Sequence, residues 1–309
     1  MTTDRTTPIS DARRAATPET ALHRAIPFWS RGFYWHYVAG ALVMHAMCLL
    51  APLTFTWRAA GIAFVLYVFT GLIGVCLGYH RYFTHKAFEC SQAFEVVMLF
   101  FGVLSASGKA VTWVGQHRVH HRWSDQGGDM HSPKHGFSWA HFLWPFVREP
   151  NGWSTADFAK DLQRNPRVRF FDRFDWAFLL ALVASLFGIG QVVEQNGVGW
   201  VVWGMGVRLV CTWHITWLVN SVGHTWGYQN FDTGDDSRNN PIVALLAFGE
   251  GWHNNHHASQ RCAAHGRQWF ELDLTYTLIR VLERLRIARR VIHPGAPLTV
   301  ESDGVRQKG

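Results

Sequence analysis

The chain has 309 residues, with 29 basic against 22 acidic side chains and a net charge of +7, but long stretches carry no formal charge at all. That distribution excludes an ordinary water-soluble domain, and it ascribes the basic excess to surface near anionic lipid, with no nucleic acid partner. The five cysteines, Cys48, Cys76, Cys90, Cys211 and Cys262, have no paired spacing for a disulfide framework or thiolate metal site and read as small apolar fillers.

Residues 1–30 are rich in Thr, Ala and Arg without a sustained pattern and read as a mobile tail. No signal peptide is expected, since the first apolar run begins only at Gly32. Gly32 to Trp57 and Ala59 to Tyr79 are free of Asp, Glu, Lys and Arg, and each is long enough to cross the roughly 30 Å hydrocarbon core as a helix. Gln92 to Trp113 is apolar but bracketed by Glu95 and Lys109. Trp176 to Val193 is a third candidate span and Gly199 to Asn220 a fourth, the latter containing Arg208, which is costly there unless paired or facing a polar cavity. His36, His45 and His214 fall within spans and are expected to hydrogen-bond between helices. Residues 294–309 are polar and read as a second tail.

Histidines dominate what remains. "EGWHNNHHASQ" holds His253, His256 and His257 within five positions, and "QHRVHHRW" repeats that His-x-x-His-His spacing with His117, His120 and His121. "YHRYFTH" adds His80 and His85, and "NSVGH" adds His224. On a helix, positions i, i+3 and i+4 share one face, so each triplet can converge. His80 and His85 lie about 140° apart on an ideal helix and are expected to converge only where a helix end unwinds. Nine imidazoles exceed the four ligands of one tetrahedral site, so two metals are expected.

Topology follows from sharing. His80 and His85 leave the second span, and the His117 cluster can join them only if the chain has not crossed in between. Gln92 to Trp113 is therefore read as an interfacial or re-entrant helix, with four spans in all. Arg5, Arg13, Arg14, Arg24 and Arg31 precede the first span, whereas Arg58 alone lies between the first two, which puts both termini and every histidine cluster in the cytoplasm. The expected fold is an all-α integral membrane protein over 31–293: four transmembrane helices, an interfacial helix and a cytoplasmic helical cap holding a di-metal site.

The order "HRYFTH", "WVGQHRVHHRWSD", "NSVGHTWG", "GEGWHNNHH" resembles the membrane-bound acyl-CoA desaturases, in particular bacterial relatives of the stearoyl-CoA Δ9 desaturases, over roughly Gly32 to Leu285. The resemblance implies a histidine-box enzyme of the bacterial inner membrane with two iron ions. It would use dioxygen and two delivered electrons to place a cis double bond in a long-chain acyl-CoA or other acyl thioester. By motif, the iron ligands are His80, His85, His117, His120, His121, His224, His253, His256 and His257, and Asn220 occupies the family position that holds a metal-bound water. No fused heme domain is visible, so electrons are expected from a separate donor such as a ferredoxin or small cytochrome with an NAD(P)H reductase.

Ligating histidines usually donate their second ring hydrogen to a carboxylate or carbonyl, which nominates Asp125, Asp129 and Glu250. Trp113, Trp226 and Trp252 are the candidates to line an acyl tunnel. Arg118, Arg122, Lys134, Arg148, Arg164, Arg167, Arg169 and Arg173 are available to an acyl carrier's head group. His131, His135 and His141 read as surface or substrate-facing residues. Two departures from the family pattern, "HFLWPF" without a glycine two residues after His141 and "HASQR" without an aromatic-proline pair, touch no ligand. The rival readings are a di-iron hydroxylase and a metal transporter; histidines gathered at the cytoplasmic ends of the spans favour the enzyme.

Overall fold

The computed structural model describes residues 32–149 and 154–295; the expected tail 1–30 and all of the expected tail 294–309 beyond residue 295 lie outside the described residues. Helix α1 is Trp35–Cys48. Helix α2 is Trp57–Thr84, capped by the Thr56 hydroxyl, which accepts from the Ala59 amide. Its second half, Phe69–Thr84, is wound as a π-helix. Helices α3, Gln92–Leu104, and α4, Ala110–Trp123, follow, then α5, Pro166–Arg173, and α6, Asp175–Glu194. Residues 197–221 form α7, with a π-wound segment at Val202–Val207. The short helices α8, Pro241–Leu246, and α9, His253–Ala258, lead to α10, Leu274–Arg284. The small sheet pairs Glu89–Cys90 with Ala288–Arg289, antiparallel, and ties the segment after His85 to the chain beyond α10.

Among the described residues two helices, α2 and α6, are long and apolar enough to cross a membrane. The uncharged run Gly32 to Trp57 is not a single helix: α1 has 14 residues, and the chain then turns through Pro52–Thr54. Proline at Pro52, which lacks an amide hydrogen, starts that turn.

Helix α3 has 13 residues, about 20 Å of rise, short of the roughly 30 Å of hydrocarbon. It runs back along α2, and glycines let the backbones meet: a Cβ on Gly74 would lie 2.5 Å from the Gly102 nitrogen, and one on Gly78 3.0 Å from the Met98 side chain. The chain then turns at Ser105–Lys109 and re-emerges as α4 instead of continuing across. Arg208 fixes that turn, donating to the Leu104 carbonyl at 2.6 Å, to Gly204 at 2.9 Å and toward Met205 Sδ at 3.7 Å, while the Trp213 indole donates to the Ser105 and Ala106 carbonyls. The buried arginine is thus partnered by helix-end carbonyls, which carry partial negative charge. The interhelical role expected of His45 and His214 is present: His45 Nε2 lies 3.1 Å from His214 Nε2, and His214 Nδ1 lies 3.0 Å from His141 Nε2.

Candidate metal centre

The π-winding of α2 corrects the expectation for the first histidine pair. His80 and His85 converge because π-helical hydrogen bonds run from i+5 to i, and the His85 amide donates to the His80 carbonyl at 3.2 Å. Their rings lie 4.8 Å apart without any unwinding. The two His-x-x-His-His triplets sit on α4 and α9, as helical spacing requires, and His224 ends the turn after α7.

Together the nine imidazoles form two buried groups. His80, His85, His117, His121 and His256 make one; His120, His224, His253 and His257 make the other; within each, one ligand atom per residue lies within 4.8 Å of all the rest. The adjacent pairs His120/His121 and His256/His257 divide between the groups, as their angular divergence on a helix demands.

Carboxylates fix the tautomers. Asp129 accepts from His120 Nδ1 at 3.0 Å, Asp125 from His224 Nδ1 at 2.7 Å and Asp235 from His257 Nδ1 at 2.6 Å, and Glu250 Oε2 lies 2.6 Å from His80 Nδ1. A neutral imidazole that donates through Nδ1 presents a bare lone pair at Nε2. Yet His120 Nε2 and His257 Nε2 lie 3.3 Å apart. His256 Nε2 sits 3.1 Å from His80 Nε2 and 2.9 Å from His121 Nε2.

Protonation is favoured at His120, where Asp129 outweighs burial and raises the imidazole, but it does not relieve the crowding of the other shifted rings. Burial, reinforced by neighbouring imidazoles, holds His85, His117, His121, His253 and His256 well below the usual histidine range, and burial pushes His257 down to about 4 despite Asp235. Imidazole nitrogens facing one another at these distances in a buried cluster fit a shared cation. The donor set, five imidazoles in one group and four in the other, is right for two such ions.

Of the expected outer partners, Asp125, Asp129 and Glu250 are all in contact with imidazoles. Asp125 is held at φ +57, a left-handed conformation that costs a non-glycine residue energy and aims its carboxylate at His224. Its carboxyl is kept ionised, down to about 2, by hydrogen bonds from His224, Ser132 and the Asp236 amide that outweigh burial.

Several partners had no sequence signal. Asp235 lies in the polar loop "DTGDDS", where nothing separates it from Asp232 or Asp236. His265 stands alone in "AAHGR", yet its Nδ1 is 3.0 Å from Glu250 and its ring 4.3 Å from that of His256. Arg81, with a fully buried side chain, spends all five guanidinium hydrogens, on Glu250 Oε1, Asp273 and the Ala263 carbonyl.

A cavity of about 410 Å³ reaches the five-imidazole group at His117. His131 and Asn220 also line it, with Trp113, Trp144, Trp213 and Trp217 among its walls. Trp113 is where the tunnel expectation put it. Trp226 and Trp252 are not lining residues: Trp226 is 60% exposed and packs on Phe137, and Trp252 is 3% exposed with its indole donating to the Leu272 carbonyl. Their nearness to the motifs is sequential, and the turns after His224 and Gly251 point them elsewhere.

His131 is buried against the His120 ring and faces the cavity, whereas His135 is exposed. Most of the bases considered for a head group serve the fold. Arg118 is bidentate with Asp161, Arg167 pairs with Glu95, Lys134 with Asp236, and Arg148 donates to the Phe33 carbonyl. Among the lining residues the cationic one is Lys109.

The fatty acid desaturase family model matches residues 55–289. The chain is 43% identical over 265 residues to the palmitoyl-monogalactosyldiacylglycerol delta-7 desaturase of Arabidopsis thaliana, covering 83% of this chain and 68% of that one. It is 39% identical over 284 residues to the sn-1 stearoyl-lipid 9-desaturase of a Synechocystis strain, covering 91% and 85%. It is also 39% identical over 297 residues to the icosanoyl-CoA 5-desaturase of Limnanthes douglasii, covering 93% and 81%. With the family's four histidine motifs folded into one buried double cluster beside an apolar cavity, the chain belongs to the fatty acid desaturase family.

Proposed function

We propose that the chain is a di-iron, oxygen-dependent desaturase that places a cis double bond at carbon 9 of a long-chain saturated acyl group carried on CoA, another thioester or a membrane lipid. The observation that carries this reading is the pair of adjoining imidazole groups, one of which opens at His117 onto a cavity walled by Trp113, Leu179, Met205 and Leu209. His80, His85, His117, His121 and His256 would hold one iron; His120, His224, His253 and His257 the other, with Asn220 orienting a bound water. Iron, supplied with dioxygen and two electrons from a separate ferredoxin or cytochrome, provides an oxidant strong enough to take hydrogen from an unactivated methylene.

The chain's own contribution is placement and dryness. The cavity walls hold the acyl chain against the His117 side of the site and keep water from competing for the oxidant. Asp125, Asp129, Asp235 and Glu250 hold the imidazoles in the tautomer that leaves Nε2 free. The membrane arrangement we favour has four spans: α2 and α6, which are long and apolar enough to cross as single helices, α1 extended by the turn at Pro52–Thr54, and α7, with α3 re-entrant because it turns back at Ser105 and the metal centre and both termini on the cytoplasmic side of a bacterial inner membrane. The relatives support acyl desaturation in common, and their named substrates differ in carrier and in double-bond position.

Gas chromatography with mass spectrometry of fatty acids from a desaturase-deficient host expressing the chain tests this. A new cis monoene at carbon 9, absent from a His120→Ala, His121→Ala control, is the expected result. Hydroxylated or unchanged lipids from iron-loaded protein would sink the reading.

A further inference from the structure

The carboxylates that back the imidazoles are shared out unequally. In the four-imidazole group three ligands donate to acids: His120 to Asp129, His224 to Asp125 and His257 to Asp235. In the five-imidazole group Glu250 alone stands behind a ligand, His80; buried Nδ1 atoms without a hydrogen-bond partner number two there, on His121 and His256, against one, on His253, in the four-imidazole group.

The acids also differ in how far their charge is spent. Glu250 turns its other oxygen to the Arg81 guanidinium, at 3.1 Å, and shares Oε2 with His265. The remaining recorded partners of the three aspartates are uncharged. Asp125 accepts from the Ser132 hydroxyl and the Asp236 amide, Asp129 from the Asp125 and His131 amides, and Asp235 from the hydroxyls of Thr233 and Ser237. Asp125 and Asp129 are buried and the Asp235 side chain is only 8% exposed, so charge there is weakly screened.

Carboxylate hydrogen bonds make an imidazole a more basic ligand, and nearby uncompensated anions favour the higher charge on a metal. We propose that the two metals are inequivalent, and that Asp125, Asp129 and Asp235 are positioning residues that make the four-imidazole site the one to hold the higher oxidation state. This rests on the reading of the two groups as iron sites.

The test uses the purified full chain loaded with 57Fe, reduced with dithionite and then treated anaerobically with one equivalent of hexachloroiridate(IV) per chain. One electron passes from the iron pair to the iridium complex, giving iridium(III) and one ferric beside one ferrous iron. Mössbauer spectroscopy is read on the parent and on Asp235→Asn, Asp235→Glu and Glu250→Gln, each checked for iron content.

The expected result is a ferric doublet that shifts in Asp235→Asn, returns toward the parent in Asp235→Glu, which restores the charge, and stays put in Glu250→Gln, where the ferrous doublet shifts instead. A ferric doublet that moves with Glu250→Gln and not with Asp235→Asn, or one that moves equally with both, overturns the inference. Should Asp235→Asn lose its iron, the Asp235→Glu and Glu250→Gln pair still decides which doublet belongs to which group. A parent chain that binds fewer than two irons defeats the underlying reading, and does so before any variant is compared.

Discussion

Replacing Asp273 with alanine isolates the part of the site that is structural. Asp273 lies three interactions away from a proposed ligand, along the path Asp273 to Arg81 to Glu250 to His80. Its carboxylate accepts from Arg81 Nη1 and Nη2, each at 2.9 Å, and from the amides of His265 at 2.7 Å and Tyr276 at 2.8 Å, the last of these as the N-cap of α10. The Arg81 side chain has no solvent exposure, so the substitution leaves two of its five donors without acceptors and part of its charge uncompensated. Breaking a buried pair by removing one partner costs about 3–5 kcal/mol, and losing a capping carboxylate about 1 kcal/mol. A cost of that size is a large fraction of a domain's typical net stability. Thermal unfolding in detergent should therefore show Asp273→Ala severely destabilised. Asp273→Asn, which keeps an acceptor for the cap, should fall in between. Iron per chain should drop in parallel as Glu250 loses its anchor, since such outer contacts are worth roughly 10–100-fold in metal affinity. An unfolding midpoint for Asp273→Ala equal to the parent's would refute the network argument.

Trp113→Ala should abolish most product formation at unchanged protein level, whereas Trp226→Ala should leave turnover near the parent's, because Trp113 lines the cavity and Trp226 does not; product yield per iron in the same host distinguishes them. Gly74→Ala forces a Cβ to 2.5 Å from backbone atoms of Phe101 and Gly102, and overpacking of this kind costs about 1–3 kcal/mol or more, readable as a lowered unfolding midpoint. The metal-free chain should lose stability on mild acidification. The folded chain keeps His257 down to about 4 and the buried imidazoles of His121, His253 and His256 well below the usual range. Below the ordinary histidine value, about 6.5, the unfolded chain binds more protons, so stability falls as pH drops from there toward about 4. Equal unfolding midpoints at the two ends of that window would contradict the burial of neutral rings.

Some of the centre was legible from spacing alone. The triplets on α4 and α9 share a face because 3.6 residues make a turn, and the separation of His120 from His121 into different groups follows from the same number. Asp125, Asp129 and Glu250 were legible as nearby acids, but Asp235 was not, because its contact with His257 bridges 22 residues through an irregular loop. Trp226 and Trp252 show the converse, since proximity in sequence says nothing of where a turn aims a ring.

What the sequence determined by itself was the chemistry available: the nine imidazoles, the uncharged runs, and motifs that place the chain among the fatty acid desaturases. Those depend on residue identity and short-range periodicity. Tertiary structure decided the rest. It wound the end of α2 as a π-helix so that His80 and His85 meet edge to face, turned α3 back at Ser105 under the hold of Arg208, and anchored Glu250 through Arg81 to Asp273. It also gave three carboxylates to one imidazole group and one to the other. Apart from the π-wound segment and the His120–Asp129 contact, these join residues far apart in the chain, and such contacts are fixed by packing and by the need to satisfy buried polar groups, which no local pattern records.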